Sequence, residues 1–171
     1  HVGDTLARDH IGFGSKHYKN DSGRNDLVEM RVASDSEHVY FYARTRAPLT
    51  EPAEPHWMTL LVNTDRDAQT GWQGYDVAVN RLAPQDATTS LERYRGEGNW
   101  ERLATVRWRA AGNELHLAVP RSALGLNADA TSFDFKWVDH LPAEPDVLDF
   151  YHQGDVAPES RLSYRYTGPE K

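Results

Sequence analysis

The sequence predicts an all-β fold: a single antiparallel β-sandwich of the jelly-roll or Ig-like two-sheet kind, with almost no helix. Three observations lead there. Most segments alternate apolar and polar residues with a period of two, as strands do when they bury one face. Turn-forming groups separate them: Asp21-Ser22-Gly23, Asp35-Ser36, Gly96-Glu97-Gly98-Asn99 and Gly112-Asn113. Only residues 120–126 offer a helical turn, opened by Pro120 and interrupted by Gly125. About nine or ten strands with turns every eight to twelve residues make a sandwich.

The strands follow in order. In 27–33, Val28, Met30 and Val32 share one face while Glu29 and Arg31 take the other. In 38–46, Val39, Phe41 and Ala43 alternate with Tyr40, Tyr42 and Arg44. Residues 57–62 are almost continuously apolar, as expected of a strand covered on both sides. Alternation returns in 75–82, and 89–95 and 100–109 read as longer, more exposed strands. A hairpin turn at 110–114 leads into 114–119, with Leu115, Leu117 and Val119 inward. Residues 133–139 turn Phe133, Phe135 and Trp137 inward, and 161–166 do the same with Leu162, Tyr164 and Tyr166. Trp108 and Trp137, on alternating strands, read as packing.

Composition bounds the function. The 171 residues are 39% apolar, 11% aromatic and 26% charged, enough for a buried core, and without a repeat or a low-complexity linker they read as one domain, 1–171. The balance of 19 Lys and Arg against 26 Asp and Glu gives a net charge of −7. With no basic cluster, nucleic acid is not the expected partner. No apolar run approaches the ~18 residues a membrane-spanning helix needs. Without cysteine there is no disulfide, thiolate nucleophile or thiolate metal site. The chain opens on His1, so it is expected to begin after processing, any secretory leader lying outside it.

The segment richest in chemistry is 65–76. Read as a twelve-residue oxygen-ligand loop, it sets Asp65 and Asp67 at positions one and three, Gln69 at five and Asp76 at twelve. Hard cations such as Ca²⁺ take six to eight oxygens, and Gly71 and Gly74 let the backbone of 69–71 curl inward to help. The match departs from a helix-flanked calcium loop: Thr70 stands where Gly is usual, Asp76 replaces a Glu, and strands flank the loop. The expected site is Asp65, Asp67, Gln69 and Asp76 holding structural calcium. A second acidic group, Asp139, Asp146, Asp149, Asp155 and Glu159, reads as a polar loop at one end of the sandwich; the alternative is that Asp149 or Asp155 folds back to complete a cation site.

Trp57 and Trp72 sit at strand edges among polar and turn-forming residues. Exposed indoles flanked by amides and carboxylates suit sugar rings, whose C–H faces stack on the aromatic plane. Trp57, Trp72 and Tyr75 are the expected sugar contacts, with Asn80 and Arg81 as polar partners.

Several runs together resemble a family 9-like carbohydrate-binding domain of the DOMON-like β-sandwich group. They are Asn25 to Asp35 followed by Val39-Tyr40-Phe41, Thr45 to Leu49, and Trp57 before a hydrophobic strand. Next come Asn63-Thr64-Asp65-Arg66-Asp67 with Thr70-Gly71-Trp72, then Pro120 to Gly125 and Phe135 to Asp139. The resemblance implies a calcium-holding sandwich appended to secreted bacterial polysaccharide-degrading proteins. A catalytic domain of a parent protein is then the expected partner, with an extracellular or periplasmic location and a monomeric module. In that family a tryptophan before the hydrophobic strand stacks on sugar, the place Trp57 holds. Trp72 is matched to the family's second clamping tryptophan by expected exposure alone. Some DOMON relatives bind haem through His or Met, but Met30 and Met58 read as core residues.

Two other function classes compete. The same sandwich could serve as a structural or adhesion module. A copper oxidase, as among lytic polysaccharide monooxygenases, would chelate Cu(II) through the amine and imidazole of His1 and one of His10, His17, His56, His116, His140 or His152. No Gly-x-Ser-x-Gly elbow, His-Glu-x-x-His helix or phosphate loop is present.

Overall fold

In a computed structural model of the chain, residues 8–20, 23–53, 56–126, 132–142, 146–151 and 154–168 are described. Their strands are β1 (Arg8–Ile11), β2 (His17–Asn20), β3 (Leu27–Ser34), β4 (His38–Thr45), β5 (Thr59–Asn63) and β6 (Val77–Val79). The second half adds β7 (Thr88–Tyr94), β8 (Trp100–Ala111), β9 (Glu114–Pro120), β10 (Ser132–Val138), β11 (Val156–Ala157) and β12 (Tyr164–Thr167). Helical structure among the described residues is confined to 3-10 turns at Phe13–Ser15, Arg121–Leu124 and Val147–Tyr151. The fold is all-β and antiparallel, as the alternation predicts.

β1 and β2 pair with each other. The remaining strands form one long sheet in the order β11-β10-β5-β6-β7-β8-β9-β4-β3, with β12 also on β10. This sheet curls until its ends nearly meet, and the hydroxyls of Ser34 on β3 and Tyr166 on β12 lie 3.0 Å apart. The inward faces of both halves supply one core, including Val39, Phe41, Leu60, Val62, Leu115, Leu117, Phe133 and Trp137.

The two-residue turn Gly112-Asn113 joins β8 to β9, and Gly112 takes the positive φ of 61° that such a turn needs at its first position. Arg121–Leu124 forms the one turn expected from 120–126, closed by left-handed Gly125. Two expectations need correction. β7 is mostly buried rather than exposed, because it lies in mid-sheet between β6 and β8. Leu162 lies outside β12 and is exposed, so the inward pattern there begins at Tyr164.

The two layers differ on their outer sides. All five residues of β5 are buried, because a second apolar cluster of Leu61, Tyr75, Ala78, Val138, Leu141, Phe150 and Val156 covers the outside of β5, β6 and β10. The outer face of β3, β4, β9 and β8 carries exposed Arg31, Tyr40, Arg107, Arg109 and His116 instead.

Candidate functional site

Side chains tether the 65–76 loop to itself. Asn63 Oδ1 accepts the Arg66 N–H at 2.6 Å, Asp65 Oδ1 accepts that of Asp67 at 2.8 Å, and Asp67 Oδ1 accepts that of Gln69 at 2.9 Å. Asp76 Oδ2 takes both the N–H and the hydroxyl of Thr64, closing the loop at its base. Gly71 is required: at φ +66° a Cβ would stand 2.1 Å from the Tyr75 carbonyl oxygen.

The arrangement gathers oxygens. Thr70 Oγ1 lies 3.0–3.1 Å from both Asp65 carboxylate oxygens, 3.0 Å from the Asp67 carbonyl and 3.3 Å from Asp76 Oδ1. One hydroxyl proton cannot serve four acceptors. Asp65 and Asp76 are therefore brought together with the Asp67 carbonyl. The Asp67 carboxylate, which accepts the Gln69 N–H, and the Gln69 side chain are not among the partners of the Thr70 hydroxyl. Beside the loop lies a polar cavity of about 680 Å³ lined by Asp65, Asp76, Arg93 and Tyr94 among others. Among the described residues, no group of three or more His, Asp or Glu side chains is arranged to hold a metal.

The expected sugar platform is corrected. Trp57 is 1% exposed, its ring edge-on to Trp108 at 5.7 Å and its Nε1 donating to Thr50 at 3.1 Å. It sits in a turn before β5 that points it inward. Trp72 is half-buried and packs edge-on against Phe150. Tyr75 is buried, its hydroxyl 2.8 Å from that of Ser163, and burial raises its pKa to about 12. Asn80 is also buried, donating to the carbonyls of Trp57 and Met58 and accepting from Thr89. Arg81 is committed to Glu92 through Nε at 2.6 Å and stacks on Trp100 at 5.4 Å. Trp57, Tyr75 and Asn80 are thus internal, while Trp72 and Arg81 are partly buried and held by neighbours. Met58 is fully buried and Met30 packs against the core.

The second acidic group is structural too. Asp139 is buried between Arg24 Nε at 2.9 Å and the Met58 N–H at 3.1 Å. Asp155 accepts the Leu27 N–H at 2.6 Å, and Asp146 and Asp149 cap the turn at Val147–Tyr151. His1 and His152 lie outside the described residues; His17 pairs with Asp9, and His116 stands 3.9 Å from Glu114.

What sequence reading passed over is the outer face of β3, β4, β9 and β8. Register lines up Ala33, Tyr40, Ala118 and Arg107 in one row across four strands, and Arg31, Tyr42, His116 and Arg109 in the next. With alanines on both sides in the row, the Tyr40 ring is 39% exposed in a groove of about 390 Å³, with the His38 ring tilted against it at 5.8 Å. The Tyr40 hydroxyl donates to Asp35 Oδ2 at 2.7 Å, fixing the ring. The His38 N–H, the Tyr40 hydroxyl and the Glu37 N–H together draw the Asp35 carboxyl down to about 2. Tyr42 donates to Glu114 at 3.0 Å, with the Arg31 guanidinium 5.9 Å from its ring. The signal was legible: two tyrosines on the polar side of an alternating strand.

His56 gives a pH prediction. Burial, reinforced by Arg81 and then His140, pulls its imidazole from 6.5 to about 4. The unfolded chain binds the proton more readily, so the neutral imidazole's contribution is complete above pH 6.5 and is lost as pH falls toward 4. The expected loss is at most about 3 kcal/mol. Urea unfolding across that range measures it, and His56→Gln should flatten that part of the profile.

Comparisons with protein-family models, curated proteins and solved structures give no match for this chain.

Proposed function

We propose that the protein is a non-catalytic carbohydrate-binding module, with the open face of β3, β4, β9 and β8 as its platform and a calcium-braced 65–76 loop. The observation that carries this reading is the row Ala33, Tyr40, Ala118: an aromatic ring with small neighbours, held at its tip by Asp35, inside a groove large enough for a ligand. A pyranose lays its C–H face on the Tyr40 ring, and the arginines and His116 around it read hydroxyls. Among the described residues, the outer side of β5, β6 and β10 is covered instead by Leu141, Phe150 and Val156.

Asp65 and Asp76 would hold the ion, with the Asp67 carbonyl and the Thr70 hydroxyl, an all-oxygen set that suits a hard cation. Such an ion supplies charge neutralisation between the two carboxylates and stiffens the loop. In this reading the module is a monomer and serves a secreted or periplasmic carbohydrate-active protein.

Isothermal titration of wild type and Tyr40→Ala against a panel of oligosaccharides tests the platform. At least one glycan should bind, and Tyr40→Ala should lose about tenfold in affinity with its melting temperature unchanged. In the same samples, saturating calcium at about 100 times Kd should stabilise wild type by about 2.7 kcal/mol, a response that Asp76→Asn removes. A panel without a binder, or equal binding by Tyr40→Ala, overturns the platform. An unchanged melting point in calcium and in chelator overturns the ion site.

A further inference from the structure

We propose that the open face is built for an acidic polysaccharide, a uronate chain whose ring carboxylates are taken by Arg107 and Arg109; this rests on the carbohydrate reading above and names its ligand class.

Charge on this single face points to the ligand class. Four arginines point outward there: Arg31, Arg44, Arg107 and Arg109. Arg31 and Arg44 are both spent on Glu29, Arg44 at 2.9 Å. The Glu114 carboxylate is taken up by the Tyr42 hydroxyl and lies near His116. Arg107 and Arg109 differ: both are exposed, and among the described residues no carboxylate pairs with either. In a chain of net charge −7 such guanidiniums have carboxylates to choose from, yet here they stand open beside the groove.

Their placement matches a sugar chain running along the strand direction, from one row to the next. Arg107 ends the row that begins Ala33, Tyr40, Ala118, and Arg109 ends the row of Tyr42 and His116. They are two residues apart on β8, about 6.8 Å along the strand. A ring stacked on Tyr40 therefore has a guanidinium at its edge, and its neighbour meets the second. Guanidinium and carboxylate pair in a planar, two-bonded fork. The choice of uronate over a densely sulfated chain follows from Asp35, Glu29 and Glu114, which bound the face. Two open cations suit about one charge per ring, and a denser polyanion would meet those carboxylates and the acidic remainder of the molecule.

The test is titration of the whole chain with a uronate oligomer, its methyl-esterified neutral counterpart, a sulfated oligosaccharide and a single-stranded DNA oligomer. The uronate oligomer should bind most tightly and lose about fivefold in affinity between about 50 and about 200 mM salt. Arg107→Gln and Arg109→Gln should each lose about tenfold for it, Arg109→Lys retaining part, all with wild-type melting temperatures. Equal binding of the esterified chain, unaffected by the arginine variants, overturns this inference and leaves the carbohydrate reading standing. Tighter binding of the sulfated chain or of DNA overturns the assignment to uronate. Binding of none of these, while a neutral glycan of the wider panel binds, overturns it too; silence across the whole panel overturns both readings.

Discussion

Trp57→Ala is expected to destabilise the fold by about 3–5 kcal/mol, lowering the melting temperature by roughly 10 °C. The indole is almost wholly buried, and removing it takes away an edge-on partner of Trp108, a donor to Thr50 and the volume between them. The cavity left behind cannot refill, because β5 and the turn before it are fixed by Asn80, which holds the carbonyls of both Trp57 and Met58. Chemical unfolding of wild type and variant measures the loss. An unchanged unfolding midpoint together with lost glycan affinity would return Trp57 to the surface and restore the platform first expected of it.

Asp139→Ala is expected to cost about 3 kcal/mol. The carboxylate is fully buried, with one oxygen on the Arg24 guanidinium and the other on the Met58 N–H. Removing it leaves a largely buried cation and a backbone donor to find new partners. The Asp139 N–H, which donates to the Asp155 carbonyl at 2.8 Å, is retained in the variant, so the loss reads the side chain alone. A double-mutant cycle with Arg24→Gln isolates the pair, and a coupling of at least about 1 kcal/mol is expected. Additive losses would show that Asp139 acts only through Met58.

The first prediction turns on a residue whose type suggested a ligand contact and whose position makes it structural, the second on a carboxylate read as part of a polar loop. The reason is local. Trp57 lies in the turn at 56–58, where His56 and Met58 both have positive φ, so no alternation dictates its direction. Asn80 follows β6 with φ 65° and turns back into the interior to satisfy two carbonyls. Arg81 is claimed by Glu92, a partner eleven residues on that only the pairing of β6 with β7 brings beside it. The loop at 65–76 was more readable, because its ties run between residues two to twelve apart. Even there, the gathering of Asp65 and Asp76 around Thr70 depends on closure at the Thr64 end.

By itself the sequence determined the strands wherever side chains alternate, the turn at Gly112-Asn113, the short turn after Pro120 and the double-sided burial of β5, because each is written in neighbouring residues. Tertiary structure alone decided which outer face stays open. Tyr40 and Tyr42 alternate outward on β4 as Ala78 does on β6, and alternation alone does not say which of them distant chain will cover. The distinction comes from distant chain: Leu141, Phe150 and Val156 fold over β5, β6 and β10, and among the described residues nothing comparable covers β3, β4, β9 and β8.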